Sequence, residues 1–172
     1  MAEPVTIRPM AKRDLEALDT WFGPHTEYRN PRQKWMDHLR LAKQGAQIAV
    51  VAAADDQAVG LCALLRTSGY PPFQAANVPE ISNLLVAPPY RNLGIGRRLV
   101  VQLEGMARLE GYREIGLGVG LYRDYGPAQR LYAKLGYVPD GRGVTYRGFP
   151  VEPGNLYRAD DDLILWLKKR LT

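Results

Sequence analysis

The apolar positions change their spacing several times along the chain, and each change marks an element. Residues 5–9 alternate apolar and polar side chains like a short strand, after which Leu15, Leu18 and Phe22 recur at helical spacing. Asn30 followed by Pro31 predicts a second helix start, with Trp35, Leu39 and Ala42 on its apolar stripe and Gly45 at its end. Two aliphatic runs, 47–54 and 59–66, are separated by Asp55-Asp56-Gln57-Ala58 and read as a hairpin. A loop rich in Pro and aromatic residues covers 68–79. Residues 80–86 form the next strand, stopped at Pro88-Pro89, and 94–109 form a helix with Ile95, Leu99, Leu103 and Met106 on one face.

Beyond that helix the pattern becomes unusual. In the strand predicted over 114–121, Gly116, Gly118 and Gly120 share one face while Leu117, Val119 and Leu121 share the other. A bare strand face admits either a closely packed backbone or a ligand. A short helix over 126–135 ends at Gly136, Tyr137-Val138-Pro139 leads into a further strand, and the apolar run 163–167 is the last strand. The predicted order is βααβββαβαββ, a mixed α/β fold with one sheet covered by helices.

Composition narrows the chemistry. At 172 residues, 46% hydrophobic and 24% charged, the chain is expected to form one domain spanning 1–172. Lys and Arg number 23 against 18 acids, and the net charge of +5 permits several acidic partners, with nucleic acid, anionic lipid and phosphorylated cofactors all open at this point. Cys62 is the only cysteine, which removes intramolecular disulfides and thiolate clusters, and His25 and His38 are not at metal-pair spacing. No metal is expected. The N-terminus lacks a basic flank followed by an apolar stretch, and the apolar run 48–54 is too short to cross a bilayer, so a cytoplasmic protein is expected.

Arg91-Asn92-Leu93-Gly94-Ile95-Gly96 lies between a predicted strand and helix, where successive N–H groups and the helix dipole can hold a phosphate. It lacks the Gly-Lys-Ser/Thr of a nucleotide-hydrolysing loop, and Leu99 stands where a dinucleotide fingerprint needs its third glycine. Arg91, Gly94 and Gly96 resemble instead the Arg/Gln-x-x-Gly-x-Gly/Ala loop of the GNAT superfamily of acyl-CoA-dependent N-acyltransferases. A second block, Ala128-Gln129-Arg130-Leu131-Tyr132-Ala133-Lys134-Leu135-Gly136-Tyr137, is similar to that family's Ala-x-x-Leu-Tyr-x-Lys-x-Gly-Phe helix and following strand.

The resemblance implies a mostly antiparallel mixed sheet that splays between its fourth and fifth strands, and acetyl-CoA as cosubstrate. The cofactor's pyrophosphate would meet the backbone of Arg91, Asn92, Leu93, Gly94, Ile95, Gly96 and Arg97, with Arg91, Arg97 and Arg98 adding charge. Its pantetheine arm would lie beside Leu84, Leu85 and Val86, where a backbone N–H polarises the thioester carbonyl. Tyr132 would protonate the leaving thiolate. Glu80, at the head of the fourth strand, would take the proton of the attacking amine. The residues themselves, rather than the resemblance, suggest the glycine face of the fifth strand as the opposite wall. Two departures stand out: Gly120 occupies the place of an alternative glutamate base, and Tyr125 that of a common cofactor-contacting asparagine.

The family builds its acceptor pocket from two segments. Here the first carries Trp21, Phe22, His25, Glu27, Tyr28 and Trp35, and the second Tyr146, Phe149, Glu152, Tyr157 and Asp160-Asp161-Asp162. Aromatics with carboxylates suit a cationic amine. Trp21, Phe22 and Trp35 equally suit helix core, and the three aspartates a solvated charge run. The expected function is transfer of acetyl from acetyl-CoA to a small-molecule primary amine. The alternatives are a peptide or protein amine (Lys or N-terminus) and a non-catalytic acyl-CoA sensor. No membrane is expected as partner, nor nucleic acid, because the aromatics sit near acids rather than in a basic groove. A homodimer through the apolar last strand is a further expectation.

Overall fold

The computed structural model describes residues 4–25 and 30–172. In chain order its elements are β1 (Thr6–Pro9), α1 (Leu15–Phe22), α2 (Pro31–Lys43), β2 (Gln47–Ala54), β3 (Gln57–Leu65), α3 (Pro71–Ala75), β4 (Glu80–Val86), α4 (Ile95–Leu109), β5 (Glu114–Gly120), α5 (Gly126–Lys134), β6 (Val138–Tyr146), β7 (Phe149–Pro150) and β8 (Leu163–Arg170). The expected order is present with two additions. The loop over 68–79 contains the one-turn helix α3, hidden from a periodicity reading by its five-residue length, and a two-residue strand β7 follows β6. The chain divides into two compact units, residues 1–66 with 81–106 and residues 67–80 with 107–172.

In the first unit the strands run β1-β2-β3-β4, with β1, β2 and β3 antiparallel. Asp55 and Asp56 both have positive φ (46° and 60°), so a two-residue turn with the hand of the strand twist joins β2 to β3. These strands are buried on both faces, which is why they read as continuous aliphatic runs. Arg8 grips the buried Asp14 carboxylate through two bonds of 2.9 and 2.7 Å, and Ala11 N–H donates to the same carboxylate at 2.7 Å, fixing β1 to the entry of α1. Asn30 Oδ1 accepts from Gln33 N–H at 3.2 Å and caps α2, as the Asn-Pro start requires. Trp35 is fully enclosed and Phe22 nearly so; both belong to the helix core.

The second unit has strand order β5-β8-β6-β7, with all its pairs antiparallel. The last strand is therefore internal. Its backbone pairs with β5 along one side and β6 along the other, so it has no free edge with which to pair across a two-fold axis. The glycine face of β5 corrects a second expectation. A Cβ at Gly116 would fall 2.2 Å from the Phe73 ring, one at Gly118 2.8 Å from Ile164 and 3.0 Å from Trp166, and one at Gly120 2.4 Å from the Tyr125 ring. Rings occupy the space that the glycines leave, so this face is packed core rather than a ligand wall. Tyr70, Phe73, Val78 and Trp166 form a cluster there, with Tyr70 stacked on Trp166 at 4.1 Å and Trp166 Nε1 donating to Thr145 Oγ1 at 2.9 Å.

Candidate active site

In the first unit the chemistry rests on backbone. β4 ends at Val86, a short turn passes through Pro88–Tyr90, and residues 91–94 lead into α4. Asn92 (φ 62°) and Gly94 (φ 76°) are left-handed, which turns successive peptide groups into a concave array of the kind that receives anions. The first helical bond runs from Arg98 N–H to Gly94 O, at 3.1 Å. The N–H groups of Ile95, Gly96 and Arg97 accordingly have no carbonyl four residues back, and they meet the positive end of a fifteen-residue helix dipole. Residues 91–94 are exposed, and a Cβ at Gly94 would meet nothing within 4 Å. This donor set fits a pyrophosphate.

The arginines around the loop differ. Arg91 Nε donates to Val86 O at 3.0 Å, which ties the loop to the end of β4 and leaves the outer guanidinium nitrogens for an anion. Arg97 is exposed on the first turn. Arg98 is turned elsewhere, with Nη2 donating to Val5 O at 2.6 Å.

Leu84, Leu85 and Val86 are half-buried and follow a residue that pattern reading passes over. Asn83 has φ 55° in the middle of β4, a conformation that breaks the pleat and re-aims the backbone after it. The available signal is the residue type, since a lone Asn among Ile, Leu and Val tolerates the left-handed region as they do not. Gly60 in β3 serves the same segment: a Cβ there would press to 3.0 Å on Leu85 O, a backbone atom, so a larger residue would push β4 back by a few tenths of an ångström.

In the second unit the chemistry rests on side chains. Tyr132 is 6% exposed on α5, with its ring 5.9 Å from that of Tyr137. The cause is the helix ending. Gly136 (φ 89°) donates to Ala133 O at 3.1 Å and Tyr137 N–H reaches back to Tyr132 O at 3.0 Å, the paired bonds of a Schellman cap, with the Tyr132–Tyr137 ring contact as its apolar clasp. The Leu-Tyr-x-Lys-x-Gly-Tyr spacing is thus a device that fixes one tyrosine. Gln129 Nε2 ties the same helix to Gly120 O at 2.8 Å.

Glu80 stands at the head of β4, half-buried, with Oε2 accepting from Ser68 Oγ at 2.5 Å. Burial raises its pKa above the usual carboxylate value, opposed by hydrogen bonds from Ser68 and the Gly69 N–H. A carboxylate so placed is a better proton acceptor near neutrality than an exposed one.

The three consecutive aspartates each have a separate partner, and Asp161 and Asp162 are at the same time exposed, as a solvated run would be. Tyr146 OH donates to Asp160 at 3.0 Å, Tyr122 and Tyr125 both donate to Asp161 Oδ1, the latter at 2.9 Å, and Asp162 pairs with Arg147 at 3.2 Å. The Asp161 bond, then burial, pushes Tyr122 up to about 12. Burial, then Asp161, raises Tyr125, which also fills the space over Gly120. Both hydroxyls stay protonated at neutral pH. Tyr157 OH accepts from Glu152 N–H at 2.8 Å, and its ring lies 5.6 Å from that of Tyr146. Phe149 is exposed. In the first unit Trp21 meets Tyr90 edge-on at 6.2 Å and lines a cleft of about 490 Å³ with Arg13, Glu16, Thr20 and Asp55. Glu27, Tyr28 and the His25 side chain lie outside what the structure describes.

His38 and Cys62 take structural places. His38 stacks on Trp35 and bonds Gln47 at 2.9 Å, and burial, then Lys34, depresses its pKa to about 4. The buried Cys62 thiol is pushed up to about 12. Among the described residues no group of three His, Cys, Asp or Glu is placed to hold a metal, and no helix is long and apolar enough to cross a membrane.

An anion-receptive loop between strand and helix, on a mixed α/β chain of this element order, defines an acyl-CoA N-acyltransferase fold. A model of the acetyltransferase (GNAT) family matches residues 13–137, and the chain belongs to that family. No curated protein matches it. Solved structures with the same fold include an N-acetyltransferase from Staphylococcus aureus Mu50, with TM-score 0.75, 18% identity, and 99% of this chain and 100% of that one covered. An aminoglycoside 6'-N-acetyltransferase complexed with coenzyme A gives TM-score 0.70 at 19% identity, with 97% of each chain covered. A spermidine N-acetyltransferase chimera from Vibrio cholerae and hSSAT gives TM-score 0.70 at 14% identity, with 97% of this chain and 95% of that one covered.

Proposed function

We propose that this chain, acting as one domain over 1–172, moves an acetyl group from acetyl-CoA to the primary amine of a small molecule by direct attack. The observation that carries the reading is the loop 91–97. Its left-handed Asn92 and Gly94 open the unsatisfied N–H groups of α4 to an anion, and Arg91 is anchored beside them. Those N–H groups, with Arg91 and Arg97, hold the pyrophosphate. The backbone at Leu84, Leu85 and Val86 pairs with the pantetheine amides, and a Leu85 or Val86 N–H donates to the thioester oxygen, favouring the charge that develops there.

Glu80 takes a proton from the acceptor's ammonium, and the freed nitrogen lone pair forms the new C–N bond as the C–S bond breaks. Tyr132 gives its proton to the departing sulfur, the second proton that the new amide nitrogen sheds passes, directly or through water, to the Tyr132 phenolate, and Glu80 returns its own to solvent. A small cationic amine is favoured over a peptide because Asp161 accepts from two tyrosine hydroxyls and Asp160 from one, which pairs negative charge with aromatic side chains. Aminoglycoside and spermidine acetyltransferases among the solved structures of this fold agree with that choice.

The test is thiol release from acetyl-CoA against a panel of polyamines, aminoglycosides, amino acids and lysine peptides. One amine class should drive release, and Tyr132→Phe should lower kcat by ~10²-fold or more with the fold intact. Acetyl-CoA that fails to raise Tm at saturation, or a Tyr132→Phe protein as fast as its parent, would sink the reading.

A further inference from the structure

We infer that Ser68 is the positioning residue that seats Glu80 for proton transfer in the reaction proposed above, an inference resting on Glu80 as proton acceptor. Ser68 is 1% exposed and lies twelve residues before Glu80, outside both motifs that identify the family. Its hydroxyl has one proton to give. Tyr70 N–H donates to Ser68 Oγ at 3.0 Å, which fills an acceptor position, and the hydroxyl proton is directed to Glu80 Oε2 at 2.5 Å.

The seat is rigid on both sides. Tyr70 is fixed by its stack on Trp166 and by donation from its hydroxyl to Asp140 at 2.9 Å, while its carbonyl accepts the Phe73 and Gln74 N–H groups at the start of α3. Pro79, next to Glu80, accepts from Gly116 N–H at 2.9 Å. A carboxylate has about four lone-pair positions, of which Ser68 and the Gly69 N–H take two; the others remain for an ammonium or its water relay.

The charged groups of the surrounding elements have partners of their own. Glu114 on β5 pairs with Lys168 on β8 at 3.3 Å, and Asp140 on β6 receives Tyr70 OH and Arg142 N–H. Among the described residues Ser68 and Gly69 are the groups whose bonds hold down the proton affinity of Glu80 against burial, with no cation contributing. Removing the hydroxyl should leave burial less opposed, so the carboxylate would hold its proton to higher pH.

The experiment follows the ¹³C-labelled Glu80 side-chain resonance of the 172-residue chain through a pH titration, assigned by its loss in Glu80→Gln. It also records kcat/KM against pH with acetyl-CoA and spermidine, kanamycin or an Nα-acetylated lysine amide. Ser68→Ala should raise the Glu80 midpoint by about half a pH unit or more and move the acid limb upward with it. Ser68→Thr should restore both, and Ser68→Cys, of similar volume but a weaker donor, should fall between and stand in if Ser68→Ala does not fold. An unmoved midpoint in Ser68→Ala and Ser68→Cys, with Glu80→Gln inactive, overturns the role of Ser68 while leaving Glu80 in place. Full activity in Glu80→Gln removes the proton acceptor itself, and with it the inference.

Discussion

The loop at 91–97 and the cluster around Asp161 each gather polar groups in one place, but by opposite means. In the first unit the polar groups are peptide N–H, aimed by two left-handed residues and a helix start, and exposed. In the second they are hydroxyls and carboxylates bonded to one another and set by aromatic packing that reaches into the core. A backbone site depends on few residues, and each must be of a type that tolerates the conformation. A side-chain site depends on many, each of which can be exchanged if the packing is remade. The first should therefore fail sharply at one or two glycines and the second in proportion to lost volume or lost bonds.

The largest effect expected lies beside that contrast, in the packed aromatic core of the second unit, where Gly116→Ala adds volume that has no room. The added methyl would lie 2.2 to 2.9 Å from three atoms of the Phe73 ring, which is itself held edge-on by Tyr70 and Trp166. The ring cannot swing aside without disturbing the stack, so the substitution should destabilise by about 3 kcal/mol or more. Phe73→Leu in the same chain should recover part of it, because the two positions contend for one space. Chemical denaturation of the two single variants and the double measures this; strict additivity would break the account.

How much of this was legible before the structure follows the same division. The family's two motifs, the helix starting at Pro31, the hairpin turn at Asp55-Asp56 and the helix end at Gly136 could be read because each rests on a residue type with a conformational preference. The fate of the Gly116, Gly118 and Gly120 face could not. Two of its occupants, Phe73 over Gly116 and Trp166 over Gly118, are distant in sequence and are brought there by packing, which leaves no local trace, whereas Tyr125 over Gly120 is near in sequence but turned inward by the same packing. The partners of Asp160 and Asp161 and the hydroxyl of Ser68 were hidden for the same reason. Asn83 is the intermediate case: the residue type was in view, but an aliphatic run drew the eye past it.

The second prediction separates the units by pH. His38, in the first, is held with a pKa of about 4 against 6.5 when unfolded, so between these values the unfolded chain binds more protons than the folded one. Its contribution is intact above pH 6.5 and is lost as pH falls toward 4, by roughly 3 kcal/mol in all. In the second unit Tyr70 is pushed up to about 12 by burial and then by Asp140, so the folded state keeps its proton longer; stability is intact below pH 10 and is lost as pH rises toward 12. Tm measured from pH 7 downward should be flattened by His38→Gln between pH 6.5 and 5, and from pH 9 upward by Tyr70→Phe. Identical acid limbs in the His38 variant and its parent would contradict the first half.

The smallest effect tests whether proximity in sequence or bonding decides what an arginine does. Arg91 and Arg98 flank the same loop, and charge alone would give them similar weight. Arg91 is braced on Val86 O through Nε alone, so its outer nitrogens can meet a phosphate. Arg98 spends Nη2 on Val5 O. Arg91→Ala should raise KM for acetyl-CoA several-fold, on the order of 1 kcal/mol, with less of an effect at high salt because the site is exposed. Arg98→Ala should leave KM within about two-fold and lower stability by roughly 1 kcal/mol or less, the worth of one surface hydrogen bond. If both variants raise KM alike, the anion is held by the summed charge of the helix start and not by aimed groups, and the contrast between a backbone site and a side-chain site loses its sharpest edge.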